Sequence, residues 1–258
     1  MKSPRFYVLT IALLLCLSGF TFTKTSRTLN HQESKNVKVT NRTSTFQVTD
    51  AQRVEEQLTL SFMNNDGRRV TAFVITIGKG YSIKEDFITS EVSDEVGIKP
   101  RQTFQRTYPF PSSPLQSTDV TLQAAVFDDK TGDGNPIIFE EIMDTRLGQA
   151  LQIKRSIKLL EQYVDSLNGQ DSVGKLKAEL EVHLSRPETE TLAALQELQG
   201  VGTINRSNKS SVSDSVYAGL AAGRTDVLRR VAELEHCANR KLKLLSITTY
   251  YHKLLERL

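Results

Sequence analysis

The chain has 258 residues, of which 24% are charged, with a formal net charge of +3 and no tryptophan. Taking away Lys2 and Arg5 lowers that balance to about +1, which excludes a strong general affinity for nucleic acid or anionic membrane. With only Cys16 and Cys237 there is no disulfide framework, so stability must come from an ordinary core.

Lys2 and Arg5 precede an uncharged apolar run at residues 6–20. A basic start followed by an apolar stretch is the layout of a secretory signal peptide, here residues 1–23, with Ser18 or Thr23 as the small residue before the cut. The protein is therefore expected to be exported, whether periplasmic, secreted or envelope-associated. An uncleaved anchor is the second reading, although the run is shorter than the ~20 residues that span a bilayer comfortably. Cys16 follows Leu15, so the small residue that lipidation requires before the cysteine is missing. No later apolar run is long enough to span a membrane. Residues 24–43 are polar and without period, and read as a flexible leader.

Residues 44–130 carry short alternating segments. At 57–62, Leu58, Leu60 and Phe62 face one way and Gln57, Thr59 and Ser61 the other. Residues 64–67 (NNDG) tolerate positive φ and predict a hairpin into the run at 69–77. There, Val70, Ala72, Val74 and Thr76 oppose Thr71, Phe73, Ile75 and Ile77. Further strands are expected at 45–49, 103–108 and 120–127, with Pro109, Pro111 and Pro114 ending one ladder. Six or seven such strands predict an antiparallel β-sandwich of immunoglobulin or fibronectin type.

At Asn135-Pro136 the period changes. Asn is a good N-cap, Pro suits the first helical position, and Glu140 and Glu141 lie near the positive end of the dipole. From Ala150 the apolar positions Ile153, Ile157, Leu160, Val164 and Leu167 form a heptad seam of coiled-coil type, ended by Asn168-Gly169. Shorter helices are expected at 173–184 and 188–198. A final one runs from Asp214 to the C-terminus, with Val227, Val231, Leu234, Ala238, Leu242 and Leu245 on one stripe. The fold class is thus α+β in two parts, a β-sandwich at 44–130 and an α-helical hairpin or small bundle at 136–258.

One segment has the spacing of a metal site. With Asp129 as position 1, Thr131, Asp133, Gly134 and Glu140 fall at positions 3, 5, 6 and 12 of an EF-hand calcium loop. The context differs, because a strand precedes the loop and Pro136 occupies position 8. The alternative is a strand-to-helix turn capped by Asn135. Glu233 and His236 stand three apart as in di-metal bundles, but no second such pair exists. Gly78-Lys79-Gly80 is too short to cradle phosphate, and Cys237 reads as a partly buried small hydrophobe. The basic residues of 224–258 are expected to pair with acidic neighbours such as Glu179, Glu181, Glu188 and Glu190. No Walker loop, nucleophile elbow or dinucleotide fingerprint is present.

The run at 120–127, Asp128-Asp129 and Gly132-Asp133-Gly134 leads straight into a Glu-rich helix. Together with 71–75 (TAFVI) and 86–88 (DFI), it resembles uncharacterised exported bacterial proteins with an immunoglobulin-like module, over residues 44–165. That resemblance implies an envelope setting and assigns no activity or site residue. The function expected is a non-enzymatic interaction or scaffolding protein of the cell envelope, with a protein partner or second copy engaged through helices at 136–168 and 214–258. The alternative is a calcium- or small-ligand-binding domain using Asp129, Thr131, Asp133 and Glu140. An enzyme would need a polar set assembled across loops, such as Asp86 or Asp128 with a helical histidine.

Overall fold

The computed structural model describes residues 35–78, 80–90, 96–109, 119–167, 170–185, 188–199 and 213–258. The expected signal segment at 1–23 and residues 24–34 of the expected leader lie outside the described residues. The chain is α+β: strands in two sheets are followed by helices.

The strands are β1 (Lys35–Asn36), β2 (Val39–Asn41), β3 (Phe46–Val54), β4 (Gln57–Asn64), β5 (Val70–Ile77), β6 (Tyr81–Asp86), β7 (Thr103–Pro109), β8 (Val120–Phe127) and β9 (Gly132–Gly134). One sheet has the order β1-β3-β4-β7. The other runs β2-β8-β5-β6, with β9 sharing the β2 edge of β8. All pairings are antiparallel except β2 with β8, which is parallel.

Two departures from the sequence reading have clear causes. Residues 35–41, placed in the leader, form β1 and β2. Backbone bonds hold β2 along β8, including Val120 N–H to Lys38 O at 2.8 Å. The Asn41 side chain donates to Val48 O at 3.1 Å and accepts from Val48 N–H at 2.9 Å. Such a strand needs no apolar alternation. The turn at 64–67 is not a hairpin, because β4 and β5 belong to different sheets. Buried Asn64 organises this crossing, donating to Arg68 O at 2.8 Å and accepting from Asp66 N–H at 3.0 Å. The hairpin that does form joins β3 to β4 at Glu55 and Glu56, with Glu55 at φ 53°.

The sheets meet through Phe46, Phe62 and Phe73, whose ring centroids lie 4.8–5.5 Å apart. Phe73 and Ile75 are both 0% exposed. The opposite face of β5 is covered as well: Ala72, Val74 and Val126 pack with Ile142 and Met143 of the following helix. That two-sided cover is why β5 is apolar almost throughout.

The helices are α1 (Phe87–Ser90, one turn), α2 (Pro136–Tyr163), α3 (Gln170–His183), α4 (Glu188–Gln199), α5 (Asp214–Ala232) and α6 (Arg240–Arg257). Asn135 caps α2 as expected, its side chain accepting from Ile137 N–H at 3.0 Å. The seam residues Ile153, Ile157, Leu160 and Leu167 are buried inside the chain, in a cluster continuous with the sheet core and with Val227, Val231, Tyr251 and Leu254. Residues 35–258 form one compact unit. Helices α2 and α5 touch backbone to backbone. A Cβ on Gly148 would lie 2.2 Å from Val216 O, and one on Gly219 would lie 2.0 Å from Thr145 O.

The final helix is not continuous. A 3-10 turn at Glu233–His236 follows α5, and Asn239 then caps α6 by accepting from Leu242 N–H at 3.0 Å. The break shifts the register. Leu244, Ile247, Tyr251 and Leu254 are buried, whereas Ala238 is exposed and Leu242 and Leu245 are 64% and 42% exposed. The stripe expected across 227–245 therefore ends at Leu234. Among the described residues no helix is long and apolar enough to cross a membrane.

Candidate functional site

The segment 128–140 forms a turn and then an edge strand. Gly132–Gly134 pairs with β8, setting Gly134 opposite Ala124. Asp129 Oδ1 accepts from Thr131 N–H at 3.0 Å and from its hydroxyl at 2.5 Å, while Oδ2 takes a guanidinium N–H of Arg68 at 3.3 Å. Arg68 also lies 4.1 Å above the Phe127 ring and binds Asp66 at 2.7 Å. Asp133 turns elsewhere. Its Oδ2 accepts from Ser44 N–H at 2.7 Å, Ser44 Oγ at 2.9 Å, Thr45 N–H at 3.0 Å and Thr45 Oγ1 at 3.3 Å. Partial burial resists ionisation of Asp133, but the hydrogen bonds from Thr45 and Ser44 outweigh it and hold the pKa below the usual carboxylate value. Glu140 is exposed on the first turns of α2. Asp129 and Thr131 are thus brought together, Asp133 is directed to the 44–45 turn, and Glu140 stands apart. Among the described residues no three His, Cys, Asp or Glu side chains gather in a metal-binding group.

The other polar positions are engaged in the fold. Glu233 pairs with Arg229 at 3.2 Å and Lys243 at 2.9 Å. His183 Nε2 lies 3.1 Å from Arg155 O, and His252 Nε2 lies 2.9 Å from Glu161. Among the described residues, basic side chains of the C-terminal helices pair with Asp226, Glu233 and Asp165. Cys237 is half-buried.

Asp86 meets an arginine instead of a histidine. Arg146, on the inward face of α2 and 1% exposed, donates from Nε to Asp86 Oδ2 at 3.0 Å and from Nη2 to Asp86 Oδ1 at 3.1 Å. The same Nη2 reaches Thr71 Oγ1 at 3.2 Å. This bidentate pair fixes α2 to the outer face of the second sheet.

Beside it lies a groove of about 390 Å³ between β5–β6, α2 and the start of α5. Its apolar wall is Val74, Ile138, Ile142 and Ala218, and its polar groups are Ser82, Lys84, Glu141, Thr145, Asp214 and Ser215. Lys84 reaches it from β6. Lys84 is exposed, and partial desolvation at the groove lowers the pKa of its amine, with Asp86 and Glu141 opposing that shift and Arg146 adding to it. Among the described residues the side chains of Lys84, Glu141, Asp214 and Ser215 have no hydrogen-bond or ion-pair partner. The α5 end is fixed by Ser213, whose Oγ accepts from Val216 N–H at 3.3 Å and donates to Asp144 at 2.8 Å.

Sequence reasoning missed this groove. Lys84 is one cation among many in the sequence, and α5 reaches it through the glycine contact with α2. The legible signal was the small-residue spacing Gly219-x-x-x-Gly223, which lets two helices approach closely. Comparison of the chain with protein-family models, with curated proteins and with solved structures finds no match.

Proposed function

We propose that the chain is an exported, non-enzymatic binding module of the cell envelope, and that the groove beside Lys84 is its recognition surface. The observation carrying this reading is the concentration of uncommitted groups there. Lys84, Glu141, Asp214 and Ser215 line one concavity against an apolar wall, whereas Arg68, Asp86, Asp129, Asp133, Arg146 and Asp226 are all engaged. Apolar cavities with a few convergent polar groups are where small ligands bind, and a few hundred Å³ suffices.

The body of the module reads as an immunoglobulin- or fibronectin-type sandwich. Taking β3 as strand A, the orders β3-β4-β7 and β6-β5-β8-β9 follow the A-B-E and C′-C-F-G arrangement of that architecture. Helices α2 and α5 serve as the long arms of a helical hairpin laid on it. The basic start and apolar run of the first twenty residues support export. The heptad seam is consumed within the chain, so recognition falls to the groove rather than to that seam.

The test is retention of a small molecule from an envelope extract. The full chain is incubated with the low-molecular-weight fraction, passed through a desalting column and assayed for bound compounds by mass spectrometry. A compound retained by the wild type and lost from Ala218→Trp, which fills the groove, supports the reading. Equal retention by both, or none by either, sinks it.

A further inference from the structure

We propose that residues 35–45 form a strap that opens as a unit while the rest of the chain stays folded, and that the Asp133 carboxylate is its latch. The strap stands apart from the groove, whose lining includes none of its residues.

The strap closes one side of both sheets. Its first part, β1, pairs with β3, and its second, β2, pairs with β8 at Val39–Asn41. Little apolar surface holds it there. Val37 and Val39 are half-buried against the core, while Lys38 and residues 40–42 are exposed. The β2 pairing is short and parallel, so no tight turn ties the two strands together. Segments with few buried apolar contacts and water-exposed backbone bonds open at a lower free energy than the core beside them.

What keeps the strap shut gathers at its end. Asp133 Oδ2 accepts four hydrogen bonds from Ser44 and Thr45, at 2.7–3.3 Å. Thr43 settles on the next residue, where a Cβ on Gly134 would lie 2.9 Å from the Thr43 Cγ2. Asp133 and Gly134 belong to β9, which is paired to β8 in its own right and stays with the body when the strap leaves. Asp133 therefore lowers the free energy of the closed state and leaves that of the open state unchanged. Opening takes Lys38 O from Val120 N–H, Arg42 N–H from Leu122 O and Asn41 Oδ1 from Val48 N–H. The strap thus gates an edge of each sheet at once.

The experiment is native-state hydrogen exchange of the full chain, read by NMR at low denaturant. The reporters are the amides of Arg42, Val48 and Val120, whose hydrogens are bonded across the strap. The references are the amides of Phe73 and Ile75 in β5, which is paired on both sides. In the wild type, after correction for intrinsic rates, the reporters should exchange faster than the references by about a hundredfold or more. Leu244→Ala weakens the body in the open and closed states alike. It should speed the references by about tenfold or more and leave the reporters unchanged. Asp133→Ala acts on the closed state alone, and should speed reporters and references by one shared factor of about five or more. Asp133→Asn replaces it if the alanine variant does not fold, and Ile247→Val likewise replaces Leu244→Ala. Reporters that match the references in rate, or that follow Leu244→Ala, mean that no separate opening exists and overturn the proposal. Reporters unmoved by the Asp133 variant overturn the latch.

Discussion

Arg146 brings a full charge into the interior and is held there by two bonds to Asp86 and one to Thr71. Removing Arg146 takes the bidentate partner from Asp86 and empties a buried site, and breaking such a pair typically costs about 3–5 kcal/mol. Arg146→Ala should therefore lower the unfolding free energy by that order in a urea titration. The double variant Arg146→Met with Asp86→Leu should recover a large part of the loss, because neither charge is then stranded. A single variant within the error of wild type would show that the pair does not secure the helix. Asp133 acts more locally. Its carboxylate gathers four hydrogen bonds from Ser44 and Thr45, and Asp133→Ala should cost about 1–2 kcal/mol, moderated by solvent screening. The sign of the pH effect follows from the lowered pKa. The contribution is complete above the ordinary value of 3.8 and is lost as pH falls through the lower folded value. The wild type and Asp133→Ala should therefore converge in stability in strong acid and diverge toward neutrality; a constant difference across that range would contradict this account.

Among the elements, α6 separates pattern from structure most sharply. Spacing alone continued the stripe through Ala238, Leu242 and Leu245, because a period of three and four is indifferent to a break. The break comes from Asn239, whose side chain caps a new helix and restarts the register two positions later. Leu244→Ala should cost about 2–5 kcal/mol, whereas Leu242→Ala should change stability by less than about 0.5 kcal/mol. Equal effects would mean that the stripe runs on unbroken. The α2 helix was far more legible: its cap, its proline and its seam were all local signals, and Ile153, Ile157 and Leu160 are buried, although the helix ends at Tyr163, short of the expected seam positions Val164 and Leu167. Strands with clean alternation were readable too, but sheet membership was not. The glycine-bearing turn at 64–67 looked like a hairpin, yet the chain turned back at Glu55-Glu56, which carry no such sign. Pairing partners distant in sequence leave no mark on a strand's own residues, and the same holds for the groove, whose walls come from four elements.

For the molecule as a whole, the division into a β part at 44–130 and a helical part at 136–258 follows secondary structure along the chain, while the core runs through both. Ala72, Val74 and Val126 are covered by α2, and Asp86 is answered from it. A fragment of residues 35–135 would expose that apolar face and leave Asp86 without Arg146. It should bind a hydrophobic dye and lack the cooperative melting of the full chain. A fragment melting within about 5 °C of the full chain, which corresponds to about 1 kcal/mol for a domain of this size, would contradict this. The parallel pairing of β2 also bears on the order in which the chain is assembled. Val39 lies beside Val120, and the carboxylate that holds Ser44 and Thr45 belongs to Asp133. Made from the N-terminus onward, β2 must wait until about 80 further residues have followed before its partner exists. Closure of this edge is therefore a late event, and a polar, weakly patterned sequence at 35–45 is one that can wait in water without finding the wrong neighbour.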